Sequence, residues 1–119
     1  MKRALAVGCI WLLLAGAGAA ETLRIATFNI ENYGPANRMT AAGYRKDYPK
    51  PETAKRALRT ILREIAADVV VLQEMGSRPY LDELRRDLRS EGLDYAHAEH
   101  LAAEDDARHV AVLSRVPLR

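Results

Sequence analysis

Cysteine is nearly absent from this sequence. The chain has 119 residues and a single cysteine, Cys9, which sits in an apolar N-terminal run. Nothing after residue 20 can therefore form a disulfide, so an exported protein of this kind must be held by its core or by a metal. Excess charge is lacking as well. The 18 basic and 16 acidic residues give a formal net charge of +2. Lys2 and Arg3 account for that excess, so residues 21–119 are neutral. Global charge thus gives no argument for a polyanionic partner. There is no internal repeat and no low-complexity tract beyond the N-terminus.

The first 20 residues have a layout of their own. Lys2 and Arg3 form a short basic segment, Ala4 to Leu14 is apolar, and small residues run from Ala15 to Ala20. That is the three-part pattern of a cleaved secretory signal, with Gly18 and Ala20 placed for cleavage before Glu21. The competing reading is a membrane anchor. The stretch from Ala4 to Ala20 is only about as long as the shortest spans, ~17 residues, and half of it is Ala and Gly. The expectation is export to the periplasm or the extracellular space, with no stable membrane span afterwards and no specific protein partner evident. Cys9 is read as filler of the apolar run, because most of that run follows it.

From Leu23 to Ile30 both alternating faces are largely apolar, which predicts a buried strand rather than an edge. A polar stretch, Glu31 to Lys50, contains Gly34, Pro35, Asn37, Gly43 and Pro49 and is read as a long loop. Pro51 suits a helix start. Beyond it Ala54, Ala57, Leu58, Ile61, Leu62 and Ile65 form one apolar stripe at helical spacing. Asp68 then leads into Val69-Val70-Val71-Leu72, a strand expected to be covered on both faces. Strand, helix, strand is a crossover unit, which sets its strands parallel. A second helix is predicted from Pro79 to Ser90, with Leu81, Leu84 and Leu88 inward and Gly92 as its stop. Tyr95 to Glu99 reads as a short strand, Ala102 to Arg108 as a turn, and His109 to Ser114 as a further strand ended by Pro117.

Ligands in open α/β sheets gather at the carboxyl ends of parallel strands. In this chain those ends carry Asn29, Glu31 and Glu74. A carboxylate there is a natural ligand for a hard cation such as Mg²⁺. An amide beside it can orient a second carboxylate or a phosphoryl oxygen. Glu31 follows Asn29 by two residues and in extended chain points to the same side. Strands also end in polar residues merely because they reach solvent, and spacing alone leaves that reading open. Between Arg38 and Arg63 lie eight basic residues against Asp47 and Glu52. This is either a surface for phosphate groups or a solvated helix face with its loop.

Three segments then carry a resemblance. Leu23-Arg-Ile-Ala-Thr-Phe-Asn-Ile-Glu-Asn32, Ala67-Asp-Val-Val-Val-Leu-Gln-Glu-Met75 and His109-Val-Ala-Val-Leu-Ser-Arg-Val-Pro-Leu118 are similar, in order, to the first three blocks of the endonuclease/exonuclease/phosphatase family. The resemblance implies an α/β fold: the N-terminal half of a four-layer sandwich, two mixed β-sheets flanked by helices, over residues 21–119. It implies a metal-dependent hydrolase of phosphate esters using Mg²⁺ or Mn²⁺. Glu74 would be the metal-binding glutamate, Asn29 the active-site asparagine beside it, and Glu31 a further metal ligand. Gln73 belongs to the motif as a structural residue, and Ser114 and Arg115 help hold the third strand and its turn. His109 stands where many relatives have Gly. Lys50 resembles a Lys-Ser-Pro-like segment of some bacterial members, and both are candidate phosphate contacts. The family's later Asp-x-Asn and Ser-Asp-His motifs have no counterpart in this sequence, so the expectation is an incomplete domain with an incomplete site. The substrate class stays open among nucleic acid, phospholipid headgroup and small phosphoester. The alternative is a secreted, non-catalytic binding module, or a decayed gene product, that keeps the first half of the fold.

Overall fold

The computed structural model describes residues 21–105 and 107–119. The expected signal, residues 1–20, lies outside them. The described elements are β1 (Ile25–Tyr33), β2 (Ala36–Thr40), β3 (Gly43–Tyr48), α1 (Glu52–Ile65), β4 (Val69–Met75), α2 (Arg78–Ser90), β5 (His97–His100) and β6 (His109–Ser114). The chain is mixed α/β with two sheets. One has four strands in the order β1-β4-β6-β5, and the other is the β2–β3 pair. β1 and β4 are parallel, as the crossover requires, while β6 runs antiparallel to both β4 and β5. The four-stranded sheet is therefore mixed, but the small one is purely antiparallel.

Both helices pack on one face of the large sheet. Ile30, Val70, Leu72, Ala111 and Leu113 meet Leu58 and Leu62 of α1 and Leu81, Leu84 and Leu88 of α2 in one core. Each fully buried leucine contributes roughly 1.5–3 kcal/mol relative to exposure. The helix α2 matches its sequence pattern closely. It stops at Gly92, with φ of 96°. The Gly92 N–H reaches the Arg89 carbonyl at 3.1 Å, and the Leu93 N–H reaches the Leu88 carbonyl at 2.9 Å. This paired closure needs a left-handed residue at the glycine position.

Three expectations are corrected. First, β1 is an edge strand among the described residues, and only one of its faces is covered. Ile25 is 63% exposed, and Thr27 and Asn29 are exposed with it. The valines of β4 divide likewise: Val70 is buried, whereas Val69 and Val71 are only half-buried. The helices cover one side, and no described element covers the other. Second, the stretch from Glu31 to Lys50 is not a loop. β1 continues to Tyr33, and β2 and β3 form a hairpin whose two-residue turn is Ala41-Ala42, between the paired Thr40 and Gly43. The Thr40 hydroxyl donates to the Gly43 carbonyl at 2.8 Å and accepts the Ala42 N–H at 3.2 Å, closing the turn. Third, α1 is rotated from the predicted stripe. It buries Lys55 and Arg59 with Leu58 and Leu62, while Ala57 and Ile61 face outward.

That rotation is stabilised by acidic partners on α2. Lys55 Nζ lies 2.9 Å from Glu83, and Arg59 pairs with Glu91 at 2.7 Å and with Glu52 at 3.1 Å. Tyr33 Oη donates to the same Glu83 oxygen at 2.8 Å, and Lys55 sits over the Tyr33 ring. Burial, reinforced by the hydrogen bond to Glu83, pushes the Tyr33 phenol well above its ordinary range. Burial alone would raise the Glu83 carboxyl, but hydrogen bonds from Lys55 and Tyr33 overcome it and hold the group below its ordinary value. Three of the eight basic residues between Arg38 and Arg63 are thus structural. Lys55, Arg59 and Arg63 are paired across the helices, with Arg63 at 3.1 Å from Glu91.

Candidate active site at the parallel strand ends

The parallel pairing brings Asn29 opposite Gln73. Gln73 is structural, as expected: its Nε2 donates to the Thr27 hydroxyl at 2.6 Å and ties the two strands together. Beyond this pair both strands leave regular geometry. The β1–β4 register shifts between Asn29 and Tyr33, and the β4–β6 register shifts between Leu72 and Met75. Irregularities of this kind re-aim side chains and are common beside functional sites.

The backbone shows how this is done. Five non-glycine residues among those described have positive φ: Glu31 (52°), Asn32 (53°), Asp47 (50°), Ala66 (46°) and Glu74 (60°). Three of the five lie at the carboxyl ends of β1 and β4. A left-handed glutamate costs about 1–3 kcal/mol and persists only where the surroundings fix it, whereas asparagine tolerates the region. The fixing contacts are present. The Glu31 N–H donates to Asn29 Oδ1 at 2.8 Å, and the Asn32 N–H donates to Glu74 Oε2 at 3.2 Å. The extended-chain premise for Glu31 therefore fails. Its backbone turns, and its amide rather than its carboxylate meets Asn29.

Lys50 joins this group from the end of the hairpin. It is buried, and its Nζ donates to the Glu31 carbonyl at 2.9 Å. Burial pushes its ammonium below the ordinary range, the charge of Arg38 adds to this, and Glu31 and Glu74 pull the other way. Asn29, Glu31 and Lys50 form the polar end of a groove of about 350 Å³, whose apolar wall includes Phe28, Ala57 and Ile61. The outward rotation of α1 leaves this wall open. Glu74 is not in the groove's lining and is joined to this group through the Asn32 amide, which donates to it.

Glycines set how closely the strand ends approach. The Gly76 N–H donates to the Tyr33 carbonyl at 2.7 Å. A Cβ on Gly76 would collide with that oxygen, and one on Gly34 would lie 3.3 Å from the Gly76 Cα. Neither glycine was singled out from the sequence for this role, and neither was Asn32. A signal existed: Asn tolerates the left-handed region, and a glycine directly after a strand marks close backbone approach.

His109 lies at the same end of the sheet, paired with Met75 in register. Its ring is 4.4 Å from that of His100, and its Nδ1 lies 3.0 Å from the Leu101 carbonyl. His100 in turn meets the Gly76 carbonyl at 2.9 Å. His109 therefore stands beside the β4 end but is not part of the groove with Asn29, Glu31 and Lys50. Ser114 and Arg115 hold the far end. The Ser114 hydroxyl bridges Val116 at 2.7 Å and 3.1 Å, and the Arg115 N–H reaches the Asp68 carbonyl at 2.9 Å.

No family model, curated protein or solved structure matches the chain.

The geometry can still be tested against a divalent cation. Glu74 engages the Asn32 amide through Oε2, which leaves Oε1 for a ligand. Glu31 offers a second carboxylate and Asn29 an amide oxygen. Among the described residues no group of three or more His, Cys, Asp or Glu side chains comes together. A donor set of two carboxylates and an amide fits Mg²⁺, which keeps several waters and takes one or two carboxylates. Such a set suits a cation bound largely through water, not a fully protein-enclosed ion.

Proposed function

We propose that this chain carries part of the active site of a metal-dependent phosphoesterase of the endonuclease/exonuclease/phosphatase type. The observation that supports this most is the clustering of left-handed Glu31, Asn32 and Glu74 at the ends of two adjacent parallel strands, with Lys50 brought to the same place. A strand that simply runs out into solvent has no need of two strained glutamates and a left-handed asparagine joined by specific hydrogen bonds. The uncovered face of the four-stranded sheet supports the finer reading, that these elements are the first half of a four-layer sandwich, because such a face is completed by a second packed sheet.

In this reading Glu74, with Glu31 and Asn29, holds Mg²⁺ or Mn²⁺. The bound ion supplies Lewis-acid stabilisation of phosphoryl and leaving-group oxygens. The Glu31 N–H uses one lone pair of Asn29 Oδ1 and fixes the amide, which leaves the other lone pair for a ligand and Nδ2 to donate to a phosphoryl oxygen. The Lys50 ammonium places positive charge beside the same groove. Water would attack phosphorus in line: a bond from its oxygen to phosphorus forms, the bond to the ester oxygen breaks, and the water proton ends on the departing alkoxide oxygen, which leaves as the alcohol.

The test is Mn²⁺ binding by titration calorimetry, with hydrolysis of bis-p-nitrophenyl phosphate beside it, in wild type and Glu74→Gln. The expected outcome is at least a tenfold loss of Mn²⁺ affinity in the variant, ~1.4 kcal/mol, and loss of any metal-dependent hydrolysis. Equal affinity in both proteins would remove Glu74 from the site.

A further inference from the structure

The β2–β3 hairpin separates apolar from cationic side chains along its length. Its end, Met39 to Tyr44, contains no charged residue. Met39 and Tyr44 face one another across the ribbon, yet they are 77% and 54% exposed. Two large apolar side chains opposite each other in a sheet normally mark a face that packs on something. Behind this tip come Arg45 and Lys46, and on the partner strand Arg38, opposite Arg45. Asp47 is the hairpin's one acidic residue. From tip to base the ribbon therefore runs from apolar to cationic over ~15 Å, at a rise of about 3.3 Å per residue.

The base of the ribbon is tied to the candidate site. Arg38 donates to the carbonyls of Asn32 at 2.6 Å, Gly34 at 2.9 Å and Tyr48 at 3.1 Å. Asn32 is the residue whose N–H holds Glu74. One peptide segment thus joins the hairpin to the metal-binding carboxylate, and Lys50 follows β3 directly into the groove.

We propose that this hairpin is an interfacial anchor for an anionic phospholipid surface, with Met39 and Tyr44 entering the acyl boundary and Arg45 and Lys46 meeting lipid phosphates. The layering matches that of a bilayer interface, where apolar groups sit below and cations at the headgroup level. A nucleic acid fits less well, because its phosphates lie outermost and would meet the uncharged tip first. The proposal rests on the phosphoesterase reading and narrows its substrate to phospholipid headgroups presented at a membrane.

The N-terminal apolar segment can itself bind lipid, so the test reads the hairpin locally. In a Trp11→Phe background, Met39→Trp makes position 39 the only tryptophan. The probes are vesicles of phosphatidylglycerol and phosphatidylcholine, the latter brominated in its acyl chains. The expected result is a blue shift and quenching at position 39, and neither for Thr60→Trp on the exposed side of α1. Arg45→Ala and Lys46→Ala should each weaken vesicle binding about fivefold, and Tyr44→Ser roughly tenfold. A tryptophan at 39 that is neither shifted nor quenched overturns the proposal. So does a response of that tryptophan to a single-stranded oligonucleotide in place of vesicles. Glu74-dependent Mn²⁺ binding that survives such a result confines the failure to the anchor. Quenching at 39 without Glu74-dependent Mn²⁺ binding leaves the anchor standing and removes the enzymatic reading.

Discussion

Replacing Gly76 by Ala tests the link between strand approach and site most directly. The added methyl would meet the Tyr33 carbonyl oxygen, which is backbone and cannot swing aside, and would lie 3.1 Å from the Tyr80 ring. To make room, the ends of β1 and β4 must part. The Gly76 to Tyr33 hydrogen bond, 2.7 Å long, is then lost or stretched, a cost of about 1 kcal/mol. Overpacking against buried Tyr33 adds about 1–3 kcal/mol. Gly76 is absent from the positive-φ residues, so alanine returns about 0.4–1 kcal/mol by stiffening the unfolded chain. The expected net loss is about 1–3.5 kcal/mol, measured by urea unfolding followed by circular dichroism. Because Glu74 and Asn32 sit on the two segments that separate, Mn²⁺ affinity should fall in the same variant under conditions where it remains folded. A Gly76→Ala protein within about 0.5 kcal/mol of wild type, with unchanged Mn²⁺ affinity, would refute the idea that this approach sets the site.

Other consequences can be measured on the same material. Glu83→Gln should destabilise by about 1–3 kcal/mol at neutral pH, because it leaves Lys55 buried without its carboxylate. The folded-state value of Glu83 is depressed, so its contribution is present above the unfolded value, ~4.3, and is lost as pH falls through the depressed one. The gap between wild type and variant in urea midpoint should therefore close in acid. Tyr33 is shifted the other way. Its contribution is complete below the unfolded phenol value, ~10, and is lost as pH rises above it, so Tyr33→Phe should flatten the alkaline loss of stability in a thermal melt series. Ala66 closes α1 with φ of 46°, a conformation that suits glycine, and Ala66→Gly should raise stability by about 0.5–1 kcal/mol in urea unfolding.

The elements most legible in the sequence were those whose signals are local. α2 has leucines at helical spacing and a glycine stop, and both work as their spacing predicts. The His109–Ser114 strand has the predicted bounds, and the β1–β4 pairing is parallel as the crossover demands. The rotation of α1 was hidden because it depends on partners far along the chain. Lys55 and Arg59 are buried against Glu83 of α2 and Glu91 just beyond its end, and no apolar periodicity registers that. The hairpin was hidden for a different reason. Its strands carry Asn, Arg, Lys and Asp between the apolar positions, and its turn is Ala41-Ala42 rather than a glycine pair. At the candidate site, residue types and strand ends pick out Asn29 and Glu74 as candidates, but the left-handed turns at Glu31, Asn32 and Glu74 are not foreseeable from alternation. At Glu31 the amide is caught by Asn29 two residues earlier on the same strand, and at Asn32 by Glu74 on the neighbouring strand.

The parallel pairing of β1 with β4 also sets an order of events during synthesis. The contacts that open it, such as the Arg24 N–H to Asp68, span 44 residues, whereas the β2–β3 turn closes over two. At ~5–20 residues per second on the ribosome, β1 waits roughly 2–9 seconds for its partner, while the hairpin forms in about 1–10 μs once emerged. Through that interval Ile25, Phe28 and Ile30 stand on an unpaired strand beside an already folded ribbon. The groove and its carboxylates therefore form only after the hairpin, once β4 has been made, and a chaperone that binds the nascent protein in that interval would meet Ile25, Phe28 and Ile30 on an unpaired strand.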